Sequence, residues 1–167
     1  MSLGVYAMPE HRRVYWDACV ILSYFNEMTG RVKLIDGLLA KSRKGEIEIF
    51  TSALSIVEVA FAAREQTTRS IDERVEQHLD EFWADRGAIQ LIEPHELIQR
   101  EARLLMRQGL PKGWSLGPFD AIHLASARAL GVSEFHTYDK GFNKFKPDMP
   151  FDICEPYEPQ TELDLDE

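Results

Sequence analysis

Val14-Tyr15-Trp16-Asp17-Ala18-Cys19-Val20-Ile21-Leu22 is an almost unbroken apolar run interrupted by one carboxylate. Runs of this kind are typical of strands covered on both faces, as in parallel sheets, where there is no wet side to produce alternation. Asp17 is the anomaly. A lone charge in such surroundings is costly unless it is neutralised, paired or placed at the strand's end against a cation.

Working outward from that run, the chain alternates strand and helix signals. Val32, Ile35, Leu38 and Leu39 recur at helical spacing between Gly30 and Lys44, with basic residues between them, and Gly45 supplies a stop. Glu46 to Phe50 reads as a short strand with Ile47, Ile49 and Phe50 at its apolar positions. The stretch Ala53 to Arg64 is rich in helix formers and predicts a helix carrying Glu58. Ser70 is placed to cap a further helix to about Trp83, supported by Asp72 and Glu73 in its first turn.

Ile89 to Ile92 reads as a third strand stopped by Pro94, and Leu97, Ile98, Ala102, Leu105 and Met106 form the stripe of a helix from His95 to Gln108. Turn residues from Pro111 to Gly117 mark a loop, after which Pro118 opens and Gly131 ends a helix reaching Leu130. Glu134 to Tyr138 and Phe151 to Cys154 read as fourth and fifth strands. The pattern predicts an α/β domain with a mostly parallel sheet of about five strands, and in such sheets ligands bind beyond the carboxyl ends of the strands.

Length and composition agree with one globular domain. A chain of 167 residues, 44% hydrophobic and 28% charged, can bury a core without disulfide or metal staples. The reading assigns residues 1–156 to the domain and 157–167 to an acidic tail, mobile or ordered by a partner. Met1 to Arg13 lacks an apolar core of signal-peptide length, and no run approaches the roughly 20 apolar residues of a membrane span. The expectation is a cytoplasmic protein with no membrane association. Cys19 and Cys154 then read as reduced thiols rather than a disulfide.

A formal charge of −9 argues against a phosphate-binding partner until its distribution is considered. Residues 155–167 hold six acids and no Lys or Arg, so the rest of the chain carries −3. If Asp17, Glu58, Asp120 and Asp139 are neutralised by bound cations, the remainder is +1.

Each of those four acids has an ordinary explanation when taken alone. Glu58, surrounded by Leu54, Ile56, Val57, Val59, Ala60 and Phe61, suits an ion pair with Arg64 or another base. Asp120 falls in the first turn of the helix opened by Pro118, where the macrodipole favours a negative charge. Asp139 precedes Lys140-Gly141, a turn signature. Together, however, all four fall where strand ends and helix starts can bring them into one crevice. Hard cations such as Mg²⁺ take oxygen donors from a few carboxylates, water and substrate phosphate.

In order and spacing, Asp17-Ala18-Cys19-Val20-Ile21-Leu22, Ser52 followed by Glu58, Phe119-Asp120-Ala121-Ile122-His123-Leu124-Ala125 and Thr137-Tyr138-Asp139 resemble the PIN-domain nucleases. The resemblance covers roughly Arg13 to Pro156 and is closest in pattern to the single-domain VapC-type toxins of toxin–antitoxin pairs. It implies a three-layer α/β/α fold and a Mg²⁺ or Mn²⁺ site made by Asp17, Glu58, Asp120 and Asp139, with Thr137 in support. It also implies endoribonuclease activity on single-stranded or structured RNA, homodimerisation, and a small antitoxin protein as partner. Cys19 departs from the small polar residue often found two positions after the first acid.

Outside those acids, Arg128, Lys140, Lys144 and Lys146 are candidates for a phosphate-steering rim, against the alternative of a solvated basic face. Trp114 is a candidate for stacking an unpaired base, against packing over its own loop. His123 reads as an ordinary helix histidine, which the resemblance does not require. Phe82 and Trp83 read as core or dimer contacts. A haloacid-dehalogenase-like phosphotransferase needs a second Asp where Cys19 stands, and a receiver domain needs paired acids before its first helix. The rival of another class is a catalytically silent PIN-like module that binds RNA or protein.

Overall fold

The computed structural model describes residues 12–159. Five strands form one sheet in the order β3-β2-β1-β4-β5, with every neighbouring pair parallel. They are β1 (Arg12–Trp16), β2 (Ile47–Ser52), β3 (Gln90–Ile92), β4 (Glu134–His136) and β5 (Asp152–Cys154). The helices are α1 (Ala18–Phe25), α2 (Val32–Arg43), α3 (Ser55–Glu58), α4 (Ala63–Thr68), α5 (Glu73–Ala84), α6 (Glu96–Gly109) and α7 (Pro118–Leu130).

Two cores sandwich the sheet, which accounts for the missing alternation in β1. Val14 and Trp16 point into one core with Val20, Ile21, Ile35, Leu38 and Leu39 of α1 and α2. Tyr15 points into the other with Ile98, Ala102, Leu124, Ala125 and Phe135, drawn chiefly from α6 and α7. The result is the expected three-layer α/β/α arrangement. No helix among the described residues is long and apolar enough to cross a membrane.

Three boundaries differ from the sequence reading. The apolar run does not continue as a strand to Leu22 but breaks at Asp17, whose Oδ1 accepts the Val20 N–H at 3.4 Å and caps α1. A carboxylate at a helix N-cap ends the strand because it satisfies an otherwise orphaned helix donor. The helix foreseen over Ala53 to Arg64 is broken into α3 and α4, with Val59 leaving helical geometry at φ −102°, ψ 44°. Asp72, not Ser70, caps α5 by accepting the Arg74 N–H at 2.9 Å.

The first residues of the proposed tail pack onto the domain. The Arg12 guanidinium lies 4.5 Å over the Tyr157 ring, and Lys41 Nζ is 3.8 Å from Glu158 Oε2. The rest of that segment, 160–167, lies outside the described residues, as does 1–11.

Candidate active site

Because all five strands run parallel, the carboxyl ends of β1, β2 and β4 open on the same edge of the sheet. Asp17 follows β1 directly, Thr137 and Asp139 follow β4, and Glu58 ends α3, the short helix after β2. Asp120 stands in the first turn of α7, whose Pro118 start and Gly131 stop fall where the sequence places them. The edge is organised as two hydrogen-bonded halves.

In one half, Thr137 is the clamp. Its hydroxyl donates to Asp17 Oδ2 at 2.7 Å and accepts the Asp139 backbone N–H at 2.9 Å, so one side chain orients two of the acids. The Cys19 thiol donates to Asp17 Oδ1 at 2.9 Å and accepts the Tyr138 N–H at 3.2 Å. Burial beside Asp17 pushes that thiol up to about 12, so it stays a donor. Cys19 thus supplies from sulfur the contact that a hydroxyl would otherwise make. Asp17 is only 4% exposed, and burial raises its carboxyl above the ordinary value despite the donors from Cys19 and Thr137.

In the other half, His123 Nε2 meets Glu58 Oε2 at 2.6 Å, and His123 Nδ1 meets the Tyr15 hydroxyl at 2.7 Å. The Tyr15 hydroxyl in turn accepts the Ser52 backbone N–H at 3.0 Å. His123 and Tyr15 are both buried, and burial drives the Tyr15 phenol far above its usual value. Glu58 does not pair with Arg64, which reaches Asp72 at 2.9 Å instead. His123 is thus a buried histidine with both ring nitrogens hydrogen-bonded. Its signal was the three-residue spacing from Asp120, which puts both on one face of α7.

Asp120 registers both halves. Half-buried, its carboxyl is pushed up by burial and further by Asp139 and Glu58, against the pull of His123 and Lys144. Asp139 is exposed, with Oδ1 accepting the Gly141 N–H at 2.8 Å. Among the described residues, no ion pair joins Asp17, Asp120 or Asp139 to Lys or Arg. Nor do three of the four acids bring donor atoms within 4.8 Å of one another. The acid–histidine–cysteine group that does so is Glu134, His136 and Cys154, on β4 and β5.

That tighter group is closed by its own neighbours. Arg12 Nε donates to Glu134 Oε2 at 2.7 Å, and Trp16 Nε1 donates to His136 Nδ1 at 3.2 Å. With Nδ1 accepting, a neutral His136 carries its proton on Nε2, the nitrogen that faces Glu134, and so offers no lone pair there. The four acids at the sheet edge are the reverse case: all-oxygen donors, short of cations. Their chemistry fits a hard divalent ion such as Mg²⁺ or Mn²⁺.

The rim residues divide. Lys144 reaches the field of Asp120, and Lys140 and Lys146 line a depression with Asp139 and Asn143. Arg128 does not belong with them. Eight residues after Asp120, it lies exposed about 12 Å farther along α7, at the opposite end of the helix. Trp114 is partly buried, its ring packed edge-on against Phe145 at 4.8 Å with Lys112 Nζ 4.8 Å from its centre, as the packing alternative expects.

The PIN domain family model matches residues 14–146. No curated protein sequence matches significantly. Among solved structures, VapBC2 from Rickettsia felis, bound to a DNA fragment from its promoter, aligns with a TM-score of 0.61 at 16% identity, covering 87% of this chain and 99% of that one. VapC20 of Mycobacterium tuberculosis, a toxin that cleaves the sarcin–ricin loop, aligns with a TM-score of 0.59 at 13% identity, covering 78% and 93%. FitAcB from Neisseria gonorrhoeae gives 0.59 at 15% identity, covering 87% and 99%. At such identities the likeness is one of fold.

Proposed function

The chain belongs to the PIN domain family, and from that premise we propose that it is a divalent-metal-dependent endoribonuclease, the toxin of a type II toxin–antitoxin pair. The observation that carries this reading is the set of carboxylates at the sheet edge with no Lys or Arg partner, two of them, Asp17 and Asp120, with carboxyls raised by burial. Such a set is unfavourable by itself and becomes favourable around a cation.

In this reading Asp17, Glu58, Asp120 and Asp139 hold Mg²⁺ or Mn²⁺. When bound, the ion supplies Lewis-acid chemistry, lowering the pKa of water and neutralising charge that develops on the phosphate. Thr137 holds Asp17 and the Asp139 backbone in register with each other. Lys144, with Lys140 and Lys146 beside it, steers the phosphodiester toward the acids. The fold likeness to toxins solved with antitoxins supports a small antitoxin as partner, and a homodimer is part of the same proposal.

Incubating purified protein with RNA is the direct test. Cleavage is expected with Mg²⁺ or Mn²⁺ and not in chelator, and Asp17→Asn or Asp120→Asn should abolish it while circular dichroism stays unchanged. Cleavage that persists in chelator, or in both variants, overturns the mechanism. A folded protein that binds RNA but never cuts it supports the silent-module rival.

A further inference from the structure

Glu58 occupies a poor position from which to hold anything by backbone alone. Its helix α3 has four residues, and the next residue, Val59, has already left helical geometry. Two of its neighbours on that turn, Ile56 and Val57, are exposed rather than anchored. Yet its carboxylate is met by one of the most completely buried polar chains in the molecule. Ser52 and Tyr15 are fully buried and His123 is 1% exposed.

The direction of the chain follows from donor counting. An ionised carboxylate only accepts, so at Glu58 Oε2 the donor is His123 Nε2. In the neutral imidazole with its proton on Nε2, Nδ1 then accepts the Tyr15 hydroxyl, whose oxygen accepts the Ser52 N–H. A backbone amide of β2, a phenol of β1 and an imidazole of α7 therefore end, in sequence, on one oxygen of α3. Among the described residues Oε1 has no hydrogen bond, which leaves it for a ligand.

We infer that Tyr15 and His123 are positioning residues for the site, a directional relay that fixes the Glu58 carboxylate as an acceptor with one oxygen turned outward. The inference rests on the reading of Glu58 as a metal-holding residue. Hydrogen-bonded partners behind ligating carboxylates typically set metal affinity by about 10- to 100-fold. The relay deserves that weight here because α3 is too short to orient Glu58 without it. Tyr15 packs its ring against Phe135 at 5.3 Å, so loss of the hydroxyl alone leaves the core contact in place.

Mn²⁺ binding to the full chain, measured by calorimetry without substrate, separates the relay from general packing. His123→Leu should weaken binding by about 10- to 100-fold. His123→Gln, whose amide can still donate to Glu58, should stay close to wild type. Tyr15→Phe should fall between them, and histidine ¹⁵N spectra of the metal-free protein should show His123 leaving the Nε2–H tautomer. Thermal unfolding in chelator controls for folding, and if His123→Leu does not fold, the Gln and Tyr15→Phe variants decide. Wild-type affinity in folded His123→Leu, or equal losses in the Leu and Gln variants, overturns the relay alone. A wild-type protein that binds no Mn²⁺ overturns the nuclease reading and the relay with it.

Discussion

Asp17 beside Cys19 at the end of β1, and Glu134 beside Cys154 on β4 and β5, each set a carboxylate against a thiol within the same sheet, with a histidine and a tyrosine close by. The two carboxyls are nevertheless pushed in opposite directions. Burial is the largest influence on each and acts to raise both, but at Glu134 the hydrogen bonds from His136 and Arg12 prevail and hold it well below the usual range. Asp17 receives donors from Cys19, Thr137 and Val20, all neutral, and stays raised. One cluster is completed by a guanidinium from its own chain. The other has no such internal cation, and in the proposed reading one from outside completes it, a difference that separates the two clusters more sharply than ligand spacing does.

Matched substitutions give the comparison its largest test. Asp17→Asn should eliminate cleavage, yet in chelator at neutral pH it should unfold at the same or higher denaturant concentration than wild type, because it removes a charge that burial disfavours. Glu134→Gln should leave cleavage intact and lower stability by about 2 kcal/mol. That is less than the roughly 3–5 kcal/mol of a fully buried pair, since the Arg12 and Glu134 side chains keep some exposure. Urea unfolding read beside an RNA cleavage assay measures both. An Asp17→Asn variant as destabilised as Glu134→Gln would break the distinction.

The pH dependence should separate the clusters in sign. For Asp17 and Asp120, raised in the fold, the stabilising contribution is present below the ordinary carboxylate value of about 4 and is lost as pH rises through their folded values. For Glu134 the contribution is present above its ordinary value and lost as pH falls through the lowered one. Metal-free protein should therefore lose stability as pH climbs out of the carboxylate range, and Asp17→Asn should flatten that slope. Mn²⁺ affinity should rise over the same window, because the ligands must be deprotonated to bind. Calorimetry at two pH values on either side of it checks this, and equal affinities would count against clustering.

How much of this was legible in the sequence depends on which interaction decided each feature. The sheet was readable because Val14, Tyr15 and Trp16 are all apolar, and only burial on both faces explains that. The placement of Asp17, Glu58, Asp120 and Asp139 along one edge was readable because parallel strands deliver their ends there. The break at Asp17 was hidden, since a continuing apolar run cannot reveal that the side chain caps a helix. The broken helix after Ala53 was hidden because Glu65, buried at 5% exposure, ties α4 to α5 by accepting the Ala62 and Asp72 N–H groups, contacts that local propensity does not encode. The hydrogen bonds of His123 were hidden because its partners, Tyr15 and Glu58, are 108 and 65 residues away. Arg128 was misplaced by nearness in sequence, which a helix converts into distance.

The smallest expected effect follows from that last point and bears on the open cluster alone. Lys144 lies in the field of Asp120 without neutralising it, while Arg128 on the same helix as Asp120 stands at its other end. If Lys144 guides the phosphate backbone, Lys144→Ala should weaken binding of single-stranded RNA to the cleavage-deficient Asp120→Asn protein only a few-fold, uniformly across sequences. It should also reduce the slope of log affinity against log salt by about 1. Arg128→Ala should change neither. Equal effects from both would mean that RNA follows the length of α7 rather than the edge of the sheet, and would extend the binding surface away from the carboxyl ends of the strands.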